Sequence, residues 1–178
     1  MTRRNLAAIL AVTLLAVTLG CSLGASLAAA QSAKTLRERL VGTWSFVIAE
    51  ITTADGKKTL PFGDQPKGML IFTANGHFSQ VHVAGDLPKI ASNNRLAGSA
   101  EDNKAIVHGS LALFGTYTVD EEKRTLTFKI VGSTFPNLAG VAQTRTIDVL
   151  SDDEFRNTNP AASRDVPAIA ANIYKRAK

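Results

Sequence analysis

Short stretches of alternating apolar and polar residues recur along the chain from residue 42 onward. In residues 125–130, for example, Leu126, Phe128 and Ile130 alternate with polar side chains. Because successive side chains of a strand point to opposite faces, a period of two predicts strands with one apolar face. Roughly eight or nine such strands with few helices indicate an all-β fold, an antiparallel barrel or sandwich.

Turn signals separate these stretches and join several of them into hairpins. Asn75-Gly76 links two apolar runs within residues 68–83, and this pair tolerates the positive φ angles of a type I′ turn. The other predicted elements are a first strand, two hairpin turns and a closing strand: residues 43–51, 120–123, 151–153 and 171–177.

Two segments break the alternation. Residues 33–42 are typical of one or two helical turns placed before the first strand. Residues 84–110 form a long connection whose second half predicts a short helix, with Ser99 as N-cap and acidic residues in the first turn. Because a hairpin needs only a few linking residues, this insertion is expected to be a helical lid or binding loop.

The same alternation places some polar residues inside. Gln143 and Arg145 are in phase with Ile147 and Val149, and Glu50 is in phase with Trp44, so all three polar side chains point inward if no bulge intervenes. A buried guanidinium is costly unless it is paired. Arg145 therefore has two possible roles: a structural pair with Glu50, or a clamp for a ligand carboxylate.

Further candidate ligand contacts are predicted from the alternation along the strands and from the insertion at residues 84–110. Phe78, Gln80 and His82 share one face, whereas Asn94 and Arg95 are either loop caps or lid contacts. The three histidines lack metal-ligand spacing, so no metal, cofactor or catalytic residue is predicted. The predicted ligand-binding residues are Glu50, Phe78, Gln80, His82, Asn94, Arg95, Tyr117, Phe128, Gln143 and Arg145.

Residues 1–30 are typical of a secretory signal peptide, because a basic start precedes a short apolar run and an A-x-A site. The expected location is therefore the periplasm or the exterior. Cys21 follows a sequence partly like a lipobox, which leaves a lipid anchor as the alternative. Residues 31–178 are expected to form one barrel domain. This domain has no disulfide, because Cys21 is the only cysteine of the chain.

The distribution of charge argues against a nucleic acid as the partner. The first thirty residues hold two of the 20 basic residues and no acid, which leaves 18 basic against 15 acidic residues, a net charge of +3. These charges are scattered, and no basic stripe with interleaved aromatic residues occurs, so nucleic-acid binding has little support. The oligomeric state is not determined.

Gly42-Thr43-Trp44 resembles the G-x-W signature of lipocalins and related calycin barrels, and Arg176, or Lys175, resembles the arginine that packs on that tryptophan. Segments such as "LVGTW", "KGMLIFTANGHFS", "FGTYTVDE" and "TNPA" extend this resemblance to the bacterial lipocalin-like domain family over residues 35–178. One departure is Leu138, where many relatives have a tryptophan.

The resemblance implies an antiparallel lipocalin-like barrel of about eight to ten strands, wide enough to hold one small ligand. Trp44 is then either a plug at the closed end of the barrel or a ligand contact. Its place at the start of the first strand favours the plug, because a strand begins at an end of the barrel. The resulting expectation is a binding protein for a small, mostly hydrophobic molecule with a polar or acidic end. The alternatives are a cofactor-independent isomerase or cyclase, and an envelope structural protein with a filled barrel.

Overall fold

The chain folds as one compact unit over Lys34–Lys178 in a computed structural model that describes residues 33–162 and 166–178. The predicted signal peptide, with Cys21, lies outside the described residues. The described part holds two helices and nine strands, with a 3₁₀ turn at Pro136–Leu138: α1 Leu36–Leu40, β1 Gly42–Thr53, β2 Lys58–Thr59, β3 Lys67–Phe72, β4 His77–Val83, α2 Ala100–His108, β5 Ser110–Asp120, β6 Thr125–Ser133, β7 Ala142–Leu150, β8 Glu154–Asn159 and β9 Ala168–Arg176.

The sheet closes on itself. Consecutive strands from β3 to β9 pair antiparallel, and β1 pairs with both β3 and β9. The two-residue β2 pairs only with the end of β1, so it is an addition to an eight-stranded barrel. The predicted all-β antiparallel barrel, with a short N-terminal helix and one helical insertion, is therefore confirmed.

The hairpin between β3 and β4 forms as predicted, but its turn differs. Of the Asn75-Gly76 pair only Gly76 has a positive φ, 89°, whereas a type I′ turn needs positive φ at both central residues. Thr73 brackets the turn, because its N–H donates to the carbonyl of His77 and its hydroxyl accepts from the His77 N–H. The glycine alone supplies the left-handed backbone that this connection requires.

A bulge in β1 reverses the alternation. Trp44 and Phe46 point inward, but the pairing with β9 slips between Phe46 and Ile48, and thereafter Ala49 is the inward residue. A bulge adds one unpaired residue, which moves every later side chain to the opposite face. Glu50 consequently points outward and forms an ion pair with Lys58, 2.8 Å, so its predicted inward position is wrong.

A second bulge lies in β7, between Ile147 and Val149. It makes Leu150 buried where simple alternation predicts Val149. Arg145 precedes this bulge and keeps the inward position predicted for it.

One end of the barrel is closed by α1 and Trp44. The helix begins at a capping box in which Thr35 and Glu38 exchange side-chain and backbone hydrogen bonds, and it buries Leu36 and Leu40. Trp44 is fully buried and its Nε1 donates to the Leu40 carbonyl, 2.8 Å. Since this end is filled by side chains, any ligand space must lie toward the other end.

The insertion at residues 84–110 contains α2, which begins at the predicted N-cap Ser99 through a capping box with Asp102. None of the α2 residues is buried, so the helix lies over the barrel without entering it. In the described part of the chain, no helix has the length and apolar character needed to span a membrane.

Candidate functional site

A cavity of about 660 Å³ lies inside the barrel beneath α2. This volume falls within the range of roughly 300–1,000 Å³ that is usual for small-molecule pockets. The wall is mostly apolar, and the end of α2 contributes Ile106 and Val107 to it. The apolar residues of the wall are Ala49, Ile51, Pro61, Phe62, Ile106, Val107, Leu111, Leu113, Phe135, Leu138, Ala162 and Ala170. The polar part of the wall contains Gln80, His82, His108, Ser110, Thr134, Gln143, Arg145, Asn159 and Asn172.

Arg145 is the buried cation of this wall, with 5% of its surface exposed. Its Nη1 donates to the side-chain oxygen of Gln80 and its Nη2 to that of Gln143, each at 3.2 Å. The guanidinium also lies over the Phe128 ring, 4.6 Å from the centroid. Its Nε is buried without a hydrogen-bond partner among the described residues.

Among the residues that the structure describes, no carboxylate balances this charge. The ion pairs between described residues involve other cations, and Glu50, the predicted partner, is on the outer surface. Burial lowers the pKa of Arg145, but an arginine side chain remains charged in proteins. The cavity therefore holds a buried positive charge whose protein partners are neutral.

The two glutamines extend the donor character of Arg145. Each side-chain amide turns its oxygen to the guanidinium, which fixes its NH₂ group as the part left for another partner. Gln80, Gln143 and Arg145 thus place a cluster of hydrogen-bond donors in the cavity wall. Such a group suits an oxyanion, above all the flat carboxylate that a guanidinium binds through two parallel hydrogen bonds.

His82 pairs with Tyr174, a residue that was not among the predicted ligand contacts. The Nε2 of His82 and the Tyr174 hydroxyl are 2.9 Å apart, and the imidazole stacks on Phe46 at 3.7 Å between centroids. Burial, with Arg145 nearby, lowers the pKa of His82 from 6.5 to about 3, and burial raises the pKa of Tyr174. Both side chains are therefore neutral near pH 7, and neither is poised for proton transfer there.

Three predicted aromatic contacts lie below the cavity wall or away from it. Phe78 packs edge-on against Phe128, 4.5 Å between centroids, in the core beneath Arg145. The Tyr117 hydroxyl donates to the Thr73 carbonyl, 2.9 Å, and its ring packs on Phe72. These rings support the floor and are not among the residues that line the cavity.

Asn94 and Arg95 are exposed residues of the lid loop and do not line the cavity. The Asn94 side chain accepts from the Leu96 N–H at 3.0 Å, which makes it a loop cap, the first of the two roles considered. Arg95 instead borders a separate outer depression with Lys89 and Ile106. Of the predicted contacts, Gln80, His82, Gln143 and Arg145 are brought together in the wall.

The buried polar residues that were missed from the sequence lie on β8 and β9: Asn157, Asn159, Asn172 and Tyr174. Asn172 and Tyr174 are in phase with Arg176, the residue that the lipocalin resemblance identified. The alternation along β9 could therefore have predicted that both side chains point inward. Leu138, the departure noted in the sequence, lies in the cavity wall, where it adds apolar surface.

A family model described as a lipocalin-like domain matches residues 41–177. No curated protein matches the chain. Among solved structures, a redesigned β-barrel shares 16% identity with a TM-score of 0.40 and covers 80% of this chain and 95% of its own. A de novo designed fluorescence-activating β-barrel shares 14% identity, with a TM-score of 0.42 and coverage of 81% and 99%. A redesigned β-barrel bound to DFHBI shares 16%, with a TM-score of 0.40 and coverage of 80% and 100%.

Proposed function

This chain belongs to the lipocalin-like domain family, and we propose that it binds a small, mostly apolar carboxylate inside its barrel, with the carboxylate held at Arg145. The observation that carries the proposal is the buried guanidinium in the cavity wall, which has amide partners but no acidic one among the described residues. An incoming carboxylate supplies the missing counter-charge.

The rest of the wall supports an apolar body for the ligand. Phe62, Leu113 and Leu138 are buried side chains of the wall, and α2 adds Ile106 and Val107 from above. Transfer of apolar ligand surface from water to such a wall contributes about 25 cal/mol per Å². The sequence predicts a mostly hydrophobic molecule with a polar or acidic end, and the acidic form of that ligand fits this distribution of side chains.

The two alternatives have less support. A filled barrel is difficult to reconcile with an internal cavity of about 660 Å³. An isomerase or cyclase would rely on Glu50, His82, Tyr117 or Arg145 for proton transfer or anion stabilisation. Glu50 is outside the barrel and Tyr117 is away from the cavity wall, whereas Arg145 could stabilise an anion but, as a permanent cation, cannot act as a base. With the pKa of His82 near 3, the remaining candidate is a poor base at neutral pH.

Calorimetric titration with decanoate and decan-1-ol tests the proposal, because the two probes differ only at the polar end. Arg145→Met removes the cation and keeps a similar apolar length, whereas Lys129→Met removes an exposed, outward cation of the neighbouring strand and serves as the control. Losing a charged hydrogen-bond partner is expected to weaken decanoate binding about 10- to 100-fold.

Decan-1-ol binding should change little in either variant, and Lys129→Met should bind decanoate as the unmodified protein does. Equal decanoate affinity in Arg145→Met and the unmodified protein, with both folded by circular dichroism, would overturn the carboxylate clamp.

Export is a further part of the proposal, and it rests on the signal-like residues 1–30 and the A-x-A site before Gln31. Native mass spectrometry of protein isolated from a periplasmic extract tests it. We expect a mature chain that begins near residue 31. A lipid-modified chain that begins at Cys21 would support the anchored alternative, and an uncleaved Met1 would contradict export by this route.

A further inference from the structure

Three asparagine side chains point into the barrel from β8 and β9. Asn157, Asn159 and Asn172 have exposed fractions of 0%, 7% and 7%. Burying an amide without hydrogen bonds costs free energy, so each polar atom needs a partner. Neither the charge clamp at Arg145 nor the closure of the barrel explains their presence.

Their mutual hydrogen bonds leave capacity free in the cavity. Asn172 donates from Nδ2 to the Asn157 side-chain oxygen, 3.3 Å, which leaves the Asn172 oxygen as an acceptor. The Asn159 oxygen accepts from the Ala161 N–H, 3.1 Å, which fixes its NH₂ group as the free donor. Asn159 and Asn172 both line the cavity, so this donor and this acceptor belong to side chains of its wall.

The strand register places Asn159 beside the buried cation. On β7 and β8, Thr146 pairs with Thr158 and Ile147 with Asn157. One step further along these antiparallel strands, Arg145 comes opposite Asn159, and both residues are buried in the barrel. Side chains directly opposite each other across two strands are about 5 Å apart at Cβ.

Asn172 continues the same polar wall one strand further on. It pairs with Asn157 between β8 and β9, so its side chain lies diagonally next to Asn159. The donor and the acceptor are therefore neighbours, and both are close to the position assigned to the carboxylate.

We infer that Asn159 and Asn172 form a second polar subsite, which selects carboxylates carrying a hydroxyl group within a few bonds of the acid. The inference rests on the proposed function, because the carboxylate at Arg145 sets where the ligand begins. A hydroxyl both donates and accepts, so it satisfies the Asn172 oxygen and the Asn159 NH₂ together. A methylene at that place leaves both unsatisfied, and a ketone satisfies only the donor.

The test compares four probes by calorimetry with the full barrel domain: decanoate, the two separate enantiomers of 3-hydroxydecanoate, and 10-hydroxydecanoate. We expect one 3-hydroxy enantiomer to bind about 3- to 10-fold more tightly than decanoate, the gain of a net hydrogen bond. The distal hydroxyl of 10-hydroxydecanoate should bring no such gain.

Variants then assign the preference to the two side chains. Asn159→Leu and Asn172→Leu should each bring the 3-hydroxy advantage close to one while decanoate still binds. Asn94→Leu, the same change at an exposed asparagine of the lid loop, should keep the full advantage. Arg145→Met should weaken decanoate and 3-hydroxydecanoate in parallel.

The outcomes separate the two claims. If decanoate does not bind the unmodified protein, the proposed function fails. If decanoate binds but neither 3-hydroxy enantiomer is preferred, or the 10-hydroxy acid is preferred instead, the second subsite is overturned and the clamp stands. This comparison uses the unmodified protein, so it remains decisive even if an asparagine variant does not fold. A preference that persists in both leucine variants also overturns the assignment.

Discussion

The guanidinium carbon of Arg176 lies 3.9 Å from the centroid of the Trp44 ring. From this position Arg176 donates to the carbonyl of Val41 at 2.9 Å and of Arg39 at 2.7 Å. The register of β1 and β9 places the two residues opposite each other where the barrel closes. One side chain therefore ties the end of α1 to the first and last strands and covers the buried ring.

Arg176→Met is expected to destabilise the barrel by about 2–4 kcal/mol, because it removes a cation–π contact and leaves part-buried carbonyls without a donor. Urea unfolding followed by the fluorescence of Trp44, the sole tryptophan, measures the loss. Arg156→Met, which removes an outer cation paired with Glu154, is the control, and its effect should be below about 1 kcal/mol. Equal stability losses in the two variants would contradict the role given to Arg176.

Gly42→Ala is expected to cost about 1–3 kcal/mol, because Gly42 has a φ of 126° that side-chain-bearing residues rarely adopt. A Cβ there would also come within 2.9 Å of Arg176 Nη1, which its carbonyl partners hold in place. The same urea assay applies. In an Arg176→Met background the cost should shrink without vanishing, since the backbone strain remains; a neutral Gly42→Ala would refute this account of the motif.

Glu50→Gln tests the bulge in β1. Because Glu50 pairs with Lys58 on the outer surface, the change should cost less than about 1 kcal/mol and leave decanoate affinity unchanged. Uninterrupted alternation would instead place Glu50 beside the ligand. A large change in decanoate binding, measured by calorimetry, would therefore indicate that the strand keeps its phase and has no bulge.

His82 makes stability depend on acidity. The pKa of His82 is about 3 in the folded protein and about 6.5 in the unfolded chain. Below pH 6.5 the unfolded chain therefore binds a proton at His82 that the folded protein does not bind. The free energy of unfolding should fall by about 2 kcal/mol between pH 7 and pH 5 from this residue. His82→Gln should flatten the profile over that interval, measured by urea unfolding at each pH. Parallel profiles of the two proteins would rule out the depressed pKa.

The regular part of the fold was predictable because it depends on local patterns. Alternation gave the strands, turn residues gave the hairpins, and Ser99 marked the beginning of α2. Arg145 and Gln143 were also placed correctly, because no bulge lies between them and the Ile147 that set their phase.

The site was only partly predictable, because its other members depend on pairing between distant strands. Glu50 left the interior when β9 slipped by one residue against β1, an event that no local pattern in β1 marks. Tyr174 became the partner of His82 only because closure of the barrel brings β9 within reach of β4 across the lumen.

The sequence by itself determined an antiparallel barrel, a floor at Trp44 and a buried arginine at residue 145, since each follows from the order of side chains along single strands. Only the tertiary structure decided what accompanies that arginine. The bulges, the strand register and the closure of the barrel gave Arg145 the partners Gln80 and Gln143 in place of Glu50. Register is a relation between strands, so the set of side chains that line the cavity depends on the pairing of strands and not on any single strand.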